Sequence, residues 1–244
     1  MLVLFTDYGL GDPYVGQMKA RIYEMAPSQP VVDLLHEVPA FNAHAGAHLL
    51  AALAAQLPGG SVFVCVVDPG VGSAREAVVV MAGGRWFVGP DNGLLSVVAA
   101  RNPDVRLWRI HWRPERLSPS FHGRDLFAII AAEIASGDFP AGKLEEIGSL
   151  QVEFDAGDLA RILYIDHYGN AWSGLRAEGL PTGSRLVANG CLFNHAETFS
   201  AVGKGEAFWY ENSAGLLELA VNRGSAAEKF ALKIGDPVQL LRPN

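Results

Sequence analysis

The sequence predicts an α/β protein in two parts: a largely parallel sheet flanked by helices, followed by a smaller, strand-rich domain. Three observations lead there. Apolar, strand-like runs alternate with helical segments through the first half, the pattern of a parallel sheet covered by helices. The second half holds only short runs separated by Gly, Asn, Pro and Ser, which suits a small antiparallel barrel or sandwich. The 244 residues suffice for two modest cores, and 50% hydrophobic against 18% charged residues describes an ordered chain.

Leu2 to Thr6 reads as the first strand, and with no basic flank before it, it is a strand rather than a signal peptide. Tyr14 to Met25 follows as a helix, Val31 to Leu35 as a strand, and the small-residue stretch Ala43 to Gln56 as a helix. Strands are expected at Val62 to Val67, Ala77 to Met81 and Trp86 to Gly89, and helices at Leu94 to Ala100 and Asp125 to Ser136. Ser136 to Leu150 reads as a turn-rich exit, which divides the chain into an N-terminal domain, 1–152, and a C-terminal domain, 153–244. Strands in the latter are expected at Leu159 to Asp166, Asn170 to Leu175, Arg185 to Ala188, Cys191 to Phe193, Ala207 to Glu211, Leu216 to Val221 and Pro237 to Leu241.

Composition narrows the function. A formal net charge of −7 and the absence of a Lys/Arg run argue against nucleic acid or a membrane surface as partner and favour a small molecule. Two isolated cysteines, Cys65 and Cys191, make neither a disulfide framework nor a zinc site, and no apolar run is long enough to span a bilayer; a cytoplasmic protein is expected. His44 and His48 stand four apart on one helical face, but no acidic ligand follows at motif spacing. They and His36 are read as core or interface histidines, with no metal.

The candidate chemistry lies on strand-end loops. The apolar run Val62 to Val67 delivers Asp68 to the loop Pro69 to Gly72, which continues to Arg75, and His122 stands at the mouth of a later helix. Carboxylate, guanidinium and imidazole together suit positioning and polarising a water. Asp7 ends the first strand, where open α/β sheets bind ligands, and its carboxylate can accept both hydrogen bonds of a ribose diol. Asp12 and Tyr14 are near enough to close over the sugar, although Asp12 is read first as the cap of a helix beginning near Pro13. Asp91 and Asn92, before Gly93, read as a structural turn. In the second half, Asp166 and Asn170 share one hairpin tip, and Asn212, Ser213 and Asn222 lie on others; Asp166 is suited to an ammonium group.

TDYG with a following Asp, DPGVGSAR, PDNGLL, SFHGRD, IDHYGN and NSAGLLELAVNRGSA occur in this order over nearly the whole chain. Together they resemble the S-adenosylmethionine hydroxide adenosyltransferase family, related to the fluorinase and chlorinase. The resemblance implies an N-terminal α/β domain, a C-terminal β-barrel, and a homotrimer whose substrate, S-adenosylmethionine, lies between subunits. It implies hydrolysis to adenosine and L-methionine without a further cofactor, with Asp68, Arg75 and His122 as the hydrolytic triad. Asp7 falls on the ribose-binding carboxylate, with Asp12, Pro13 and Tyr14 on the adjoining loop. Asp166 and Ser213 fall at the methionine end, Asn170 and Val221, Asn222 and Arg223 at the adenine, and Phe121 and Phe199 on aromatic lining positions.

Departures from the halogenase branch are as informative. Those enzymes resemble one another in carrying a serine where this chain has Gly123, and an aromatic or small residue where it has Asp68. The fluorinase also carries an inserted loop, whereas here only Ala82 to Arg85 separate the strands. A halide would meet the Asp68 carboxylate, so water or hydroxide is the expected nucleophile. The rival readings are a halogenase and a non-catalytic S-adenosylmethionine or adenosine binder.

Overall fold

The structure, a computed structural model, describes residues 1–181 and 183–243. The chain divides into two compact units, Met1–Ala156 and Gly157–Asn244. No helix among the described residues is long and apolar enough to cross a membrane.

In the first unit, β1 (Leu2–Thr6), β2 (Val31–Leu35), β3 (Val62–Val66), β4 (Ala77–Ala82), β5 (Arg85–Pro90), β6 (Arg106–Ile110) and β7 (Leu144–Ile147) form one sheet, ordered β2-β1-β3-β5-β4-β6-β7. β1 pairs in parallel with β2 and β3, and β3 with β5, but β4 is antiparallel to β5 and β6, and β6 to β7. The sheet is therefore mixed, which corrects the expectation of a largely parallel one. Only Gly83 and Gly84, at φ 56° and 70°, join β4 to β5, and a connection that short returns the chain antiparallel, since a parallel crossover needs a dozen or more residues. β6 and β7 were not expected. β7, with Glu145 and Glu146 exposed on a short edge strand, reads as a turn in sequence because edges are protected by charge.

β1 and β3 are buried along their whole length, as the apolar runs LVLF and VFVCV require of central strands covered on both faces. Helix α1 (Tyr14–Met25) buries Met18 and Ile22, one turn apart, into a core shared with Leu2, Leu4, Val62 and Val64. Helices α2 (Ala43–Ala54), α3 (Ser96–Ala100) and α4 (Ala128–Ala135) complete the unit; α3 starts at Ser96 rather than Leu94. A π-helical turn, Gly123–Phe127, leads into α4, so the helical run begins earlier than the expected Asp125.

The order β2-β1-β3 means that the chain leaves β1 to one side and returns on the other. The carboxyl ends of β1 and β3 thus flank a topological switch point, where loops diverge and leave a crevice. Asp7 and Asp68 follow those two strand ends.

In the second unit, β8 (Leu159–Ile165), β9 (Ala171–Arg176), β10 (Arg185–Ala188), β11 (Cys191–His195), β12 (Ala207–Glu211), β13 (Leu216–Val221) and β14 (Val238–Leu241) are ordered β14-β10-β11-β12-β13-β9-β8. An isolated bridge from Arg161 to Pro237 brings the two edges together, so the sheet is nearly barrel-like around Phe193, Trp209, Leu217 and Leu219. It is not wholly antiparallel as expected: β11 and β12 are parallel, joined by a long connection through the 3₁₀ turn Phe199–Ala201. A short helix, α5 (Ala226–Phe230), was also missed, although its cap is written as S-x-x-E: Ser225 Oγ accepts from the Glu228 N–H at 3.0 Å.

Candidate active site

Asp68 and Arg75 lie in the loop between β3 and β4 with their side chains 4% and 9% exposed. The guanidinium grips the carboxylate with two donors, Nε to Oδ1 at 2.8 Å and Nη2 to Oδ2. Its Nη1 donates to the Glu76 carbonyl at 3.0 Å, and Nη2 also reaches His122 Nδ1 at 3.1 Å. The triad expected from sequence is thus one hydrogen-bonded chain. A guanidinium can only donate, so Nδ1 is the acceptor and the neutral imidazole carries its proton on Nε2. Burial, and then the Arg75 charge, hold the His122 pKa below its ordinary value, which keeps that neutral form. His122 immediately precedes the π-helical turn, a distortion that recurs at functional sites.

A cavity of about 370 Å³ opens beside this chain of groups, lined by Asp68, His122, Asp7, Asp12, Tyr14 and Tyr8 among others. Asp7 Oδ2 accepts from the Phe41 N–H at 3.1 Å, and burial raises the Asp7 pKa against the pull of that backbone bond. Phe41 has a φ of 62°, rare for an aromatic residue, and stands 77% exposed at the cavity wall; nothing in its sequence surroundings marked it. Phe121, Tyr8 and Tyr14 pack ring against ring, with centroids 5.6 to 5.9 Å apart, and Arg124 lies 4.7 Å over the Phe121 ring. Asp12 does not cap α1. The N-cap is Pro13, without a side-chain cap bond, which leaves Asp12 to the cavity.

The remaining expected residues fall together in the second unit, around a cavity of about 800 Å³. Asp166, Asn170, Phe199 and Ser213 line it, as do Val221, Asn222 and Arg223. Asp166 is also a turn organiser: Oδ1 accepts from the N–H groups of Tyr168 and Asn170 at 2.9 Å, and Oδ2 from Asn170 Nδ2 at 3.1 Å. Sequence reasoning missed Glu218, a carboxylate only 1% exposed in the apolar strand β13, where its break in the LLELAV pattern was the available signal. Tyr210 Oη donates to Glu218 Oε1 at 2.6 Å and Asn212 Nδ2 to Oε2 at 3.0 Å, while burial raises the Glu218 pKa. Two buried polar atoms lining this cavity have no partner among the described residues, the acceptor Asn170 Oδ1 and the donor Trp172 Nε1, a pairing complementary to a polar heterocycle.

Other singled-out residues are structural. His36 bridges Thr6 Oγ1 at 2.8 Å and Asp33 Oδ1 at 3.1 Å, and His48 meets Arg101 Nη2 at 3.3 Å. Asn92 holds the Val67 carbonyl and the Leu94 N–H, and Asp91 accepts from the Gln151 N–H, so PDNG is a turn. Among the described residues no group of three or more His, Cys, Asp or Glu is arranged to hold a metal ion.

A family model described as the SAM hydroxide adenosyltransferase N-terminal domain matches residues 2–146, and one described as the C-terminal domain matches residues 160–239. The chain belongs to the SAM hydroxide adenosyltransferase family. Its similarity to a Thermus thermophilus protein named (R)-S-adenosyl-L-methionine hydrolase is 40% identity over 97% of each chain. A Nocardia brasiliensis protein named fluorinase is 26% identical over 98% of this chain and 96% of its own. The crystal structure of an uncharacterized conserved protein from Thermotoga maritima matches with a TM-score of 0.88 at 31% identity, covering 99% of this chain and 100% of that one. The resemblance carried by TDYG, DPGVGSAR and SFHGRD is therefore borne out, and within the family the chain stands nearer the hydrolase-named relative than the fluorinase-named one.

Proposed function

We propose that this member of the SAM hydroxide adenosyltransferase family hydrolyses S-adenosyl-L-methionine to adenosine and L-methionine, by in-line attack of water on the ribose 5′ carbon. One observation carries the mechanism: the continuous hydrogen-bonded chain Asp68, Arg75, His122 beside a cavity that also holds the Asp7 carboxylate. The water oxygen bonds to C5′ as the C5′–S bond breaks. The bond pair goes to sulfur, which leaves as the neutral thioether of methionine, and the water loses one proton.

Asp68 takes that proton. His122 has its only free lone pair turned to Arg75 and its N–H on Nε2, so it is not the base; it holds the guanidinium that in turn holds Asp68. Arg75 fixes the carboxylate so that no reorganisation is needed at the moment of attack. The sulfonium is already a good leaving group, and the protein's part is orientation and desolvation, with no cofactor called upon.

In the finer reading, Asp7 holds the ribose diol with Asp12, Tyr14 and Phe121 around the sugar. Asp166 and Ser213 hold the amino-acid end, and Asn170, Phe199 and residues 221–223 hold the adenine. The sugar groups line a cavity of the first unit and the others a cavity of the second, which supports a homotrimer with each site shared between subunits. The relatives' name specifies the (R) sulfonium epimer, and we extend that preference to this chain.

The test is incubation with each sulfonium epimer in ¹⁸O-labelled water, with and without excess chloride, followed by chromatography and mass analysis. Adenosine carrying the label on its 5′ oxygen is expected, in amounts chloride does not change. Unlabelled adenosine in the first turnover would refute direct attack by water, and a chlorinated nucleoside rising with chloride would favour the halogenase.

A further inference from the structure

The mechanism above leaves the Tyr8 hydroxyl, at the wall of the first cavity, unused. Tyr8 directly follows Asp7 at the end of β1, and its ring is fixed by edge and tilted contacts to Phe121 and Tyr14, with centroids 5.9 and 5.6 Å away. Its side chain lines the same cavity as Asp68 and His122. The only hydrogen bond Tyr8 makes among the described residues runs from its backbone N–H to Thr6 Oγ1, so the phenolic hydroxyl is unpaired. An unpaired hydroxyl on a cavity wall is free to bond a ligand or water there.

Gly123 explains how the hydroxyl gets there. A Cβ at position 123 would overlap the Tyr8 hydroxyl oxygen more closely than real Cβ atoms ever approach, and would stand 3.3 Å from Met18 Sδ. The missing side chain of Gly123, next to His122 on the π-helical turn, is thus the space that Tyr8 Oη occupies. The two residues are complementary: glycine makes room, and tyrosine fills it with a donor. Burial and the neighbouring Asp7 and Asp68 charges push the phenol's pKa up, so it remains protonated at any working pH.

We propose that Tyr8 is a water-positioning residue of the hydrolytic site, its hydroxyl seated on Gly123 and donating a hydrogen bond to the oxygen of the attacking water while Asp68 accepts from that water. This rests on the hydrolase reading and adds to it a donor opposite the acceptor. A water held from both sides has one lone pair left for C5′, and its orientation is set before attack. Donation by a neutral phenol also requires that position 123 carry no side chain, so the Tyr8 and Gly123 identities form one determinant rather than two.

The test is a double-mutant cycle with Tyr8→Phe and Gly123→Ala, reading kcat and KM for S-adenosylmethionine and the thermal midpoint of each variant beside the wild type. Tyr8→Phe keeps the ring contacts and removes only the hydroxyl. We expect kcat to fall about tenfold or more, the loss of roughly one hydrogen bond, with KM within about twofold and an unchanged midpoint. Gly123→Ala should lower both kcat and the midpoint, because its methyl displaces the hydroxyl. In the Tyr8→Phe background the same substitution should cost much less midpoint and little further kcat. A Tyr8→Phe enzyme turning over at the wild-type rate would overturn the proposal while leaving the hydrolase reading intact. Equal midpoint losses for Gly123→Ala in both backgrounds would overturn the seating on Gly123. A wild-type protein that releases no adenosine in the same assay would bring down the hydrolase reading and the proposal together.

Discussion

Arg75→Met tests whether Asp68, Arg75 and His122 behave as one unit. Methionine retains an unbranched stem, so the perturbation is the loss of the charge and its donors, together with the guanidinium's contact over the Phe127 ring. Asp68 would remain as a carboxylate 4% exposed with its bidentate partner gone. Breaking a buried ion pair from one side costs about 3–5 kcal/mol, and the lost donors to the Glu76 carbonyl and His122 Nδ1 add roughly 1 kcal/mol between them after solvent compensation. For a unit of this size that lowers the melting midpoint by roughly 10–20 °C. Asp68→Asn/Arg75→Met removes the stranded charge as well, and should recover about half of the loss. Activity should not follow stability: single and double variants should both release adenosine at least about a hundredfold more slowly than the wild type. Thermal unfolding and chromatographic adenosine release on the same preparations decide it. If Arg75→Met costs under about 1 kcal/mol, or the double variant is no more stable than the single, the reasoning from a buried, mutually dependent pair is wrong.

Three further outcomes are expected. Because the folded pKa of His122 lies below the ordinary 6.5, the unfolded chain binds its proton first; His122 therefore contributes stability above pH 6.5 that is lost as pH falls towards the folded pKa. The pH profile of kcat/KM should fall on its acid side through the folded His122 pKa, below 6.5, and His122→Gln, which can still accept from Arg75, should flatten that limb. Calorimetry should separate the two ends of the ligand: Asp166→Asn keeps an acceptor for the turn but loses the charge, and should weaken S-adenosylmethionine about tenfold to a hundredfold while sparing adenosine, whereas Asp7→Asn should weaken both. Light scattering should give three copies, and with S-adenosylmethionine well below its KM, co-expressing Asp68→Asn with Asp166→Asn should restore about a quarter of wild-type activity if each site draws on two subunits; a mixture no more active than Asp166→Asn alone would refute the shared site.

The legible parts of this fold were those where chemistry and periodicity agree. LVLFT and VFVCV can only be central strands, and the residues following them, Asp7 and Asp68, were legible as site residues because strand-end position follows from strand position. The mixed sheet was legible too, in the two-glycine connection between Ala82 and Arg85, but alternation of elements outweighed that local signal. Glu145 and Glu146 hid β7, since an edge strand is charged for the same reason that a loop is. Asp12 was misassigned because aspartate before proline and a helix is a capping pattern, and only the backbone distinguishes a cap from a free carboxylate. Glu218, Tyr210 and Asn212 come together across β12 and β13 and the turn between them, a contact that depends on strand register and not on sequence spacing.

The distribution of charge in the first cavity bears on why this site suits water. Of the five N–H groups of Arg75, Nε and Nη2 serve Asp68, Nη1 serves the Glu76 carbonyl, and Nη2 also serves His122, so the cation is turned inward and its charge is matched by the carboxylate it holds. Little of it remains to desolvate and retain an anion, and Asp7 adds a further negative charge to the cavity wall. When a halide attacks a sulfonium, two opposite charges cancel, and a carboxylate beside the nucleophile opposes the approach without stabilising anything that forms. When water attacks, the positive charge does not disappear: it moves from sulfur to the attacking oxygen. A carboxylate beside that oxygen therefore interacts more favourably with the transition state than with the bound substrate, which is the condition for accelerating the reaction rather than tightening the complex. Asp68 meets that condition only if it lies on the water's side of C5′, opposite the sulfur. A carboxylate near the sulfonium would instead stabilise the substrate and slow its departure. The two alternatives predict opposite effects of Asp68→Asn on substrate affinity: little change or a slight gain in the first case, a clear loss in the second.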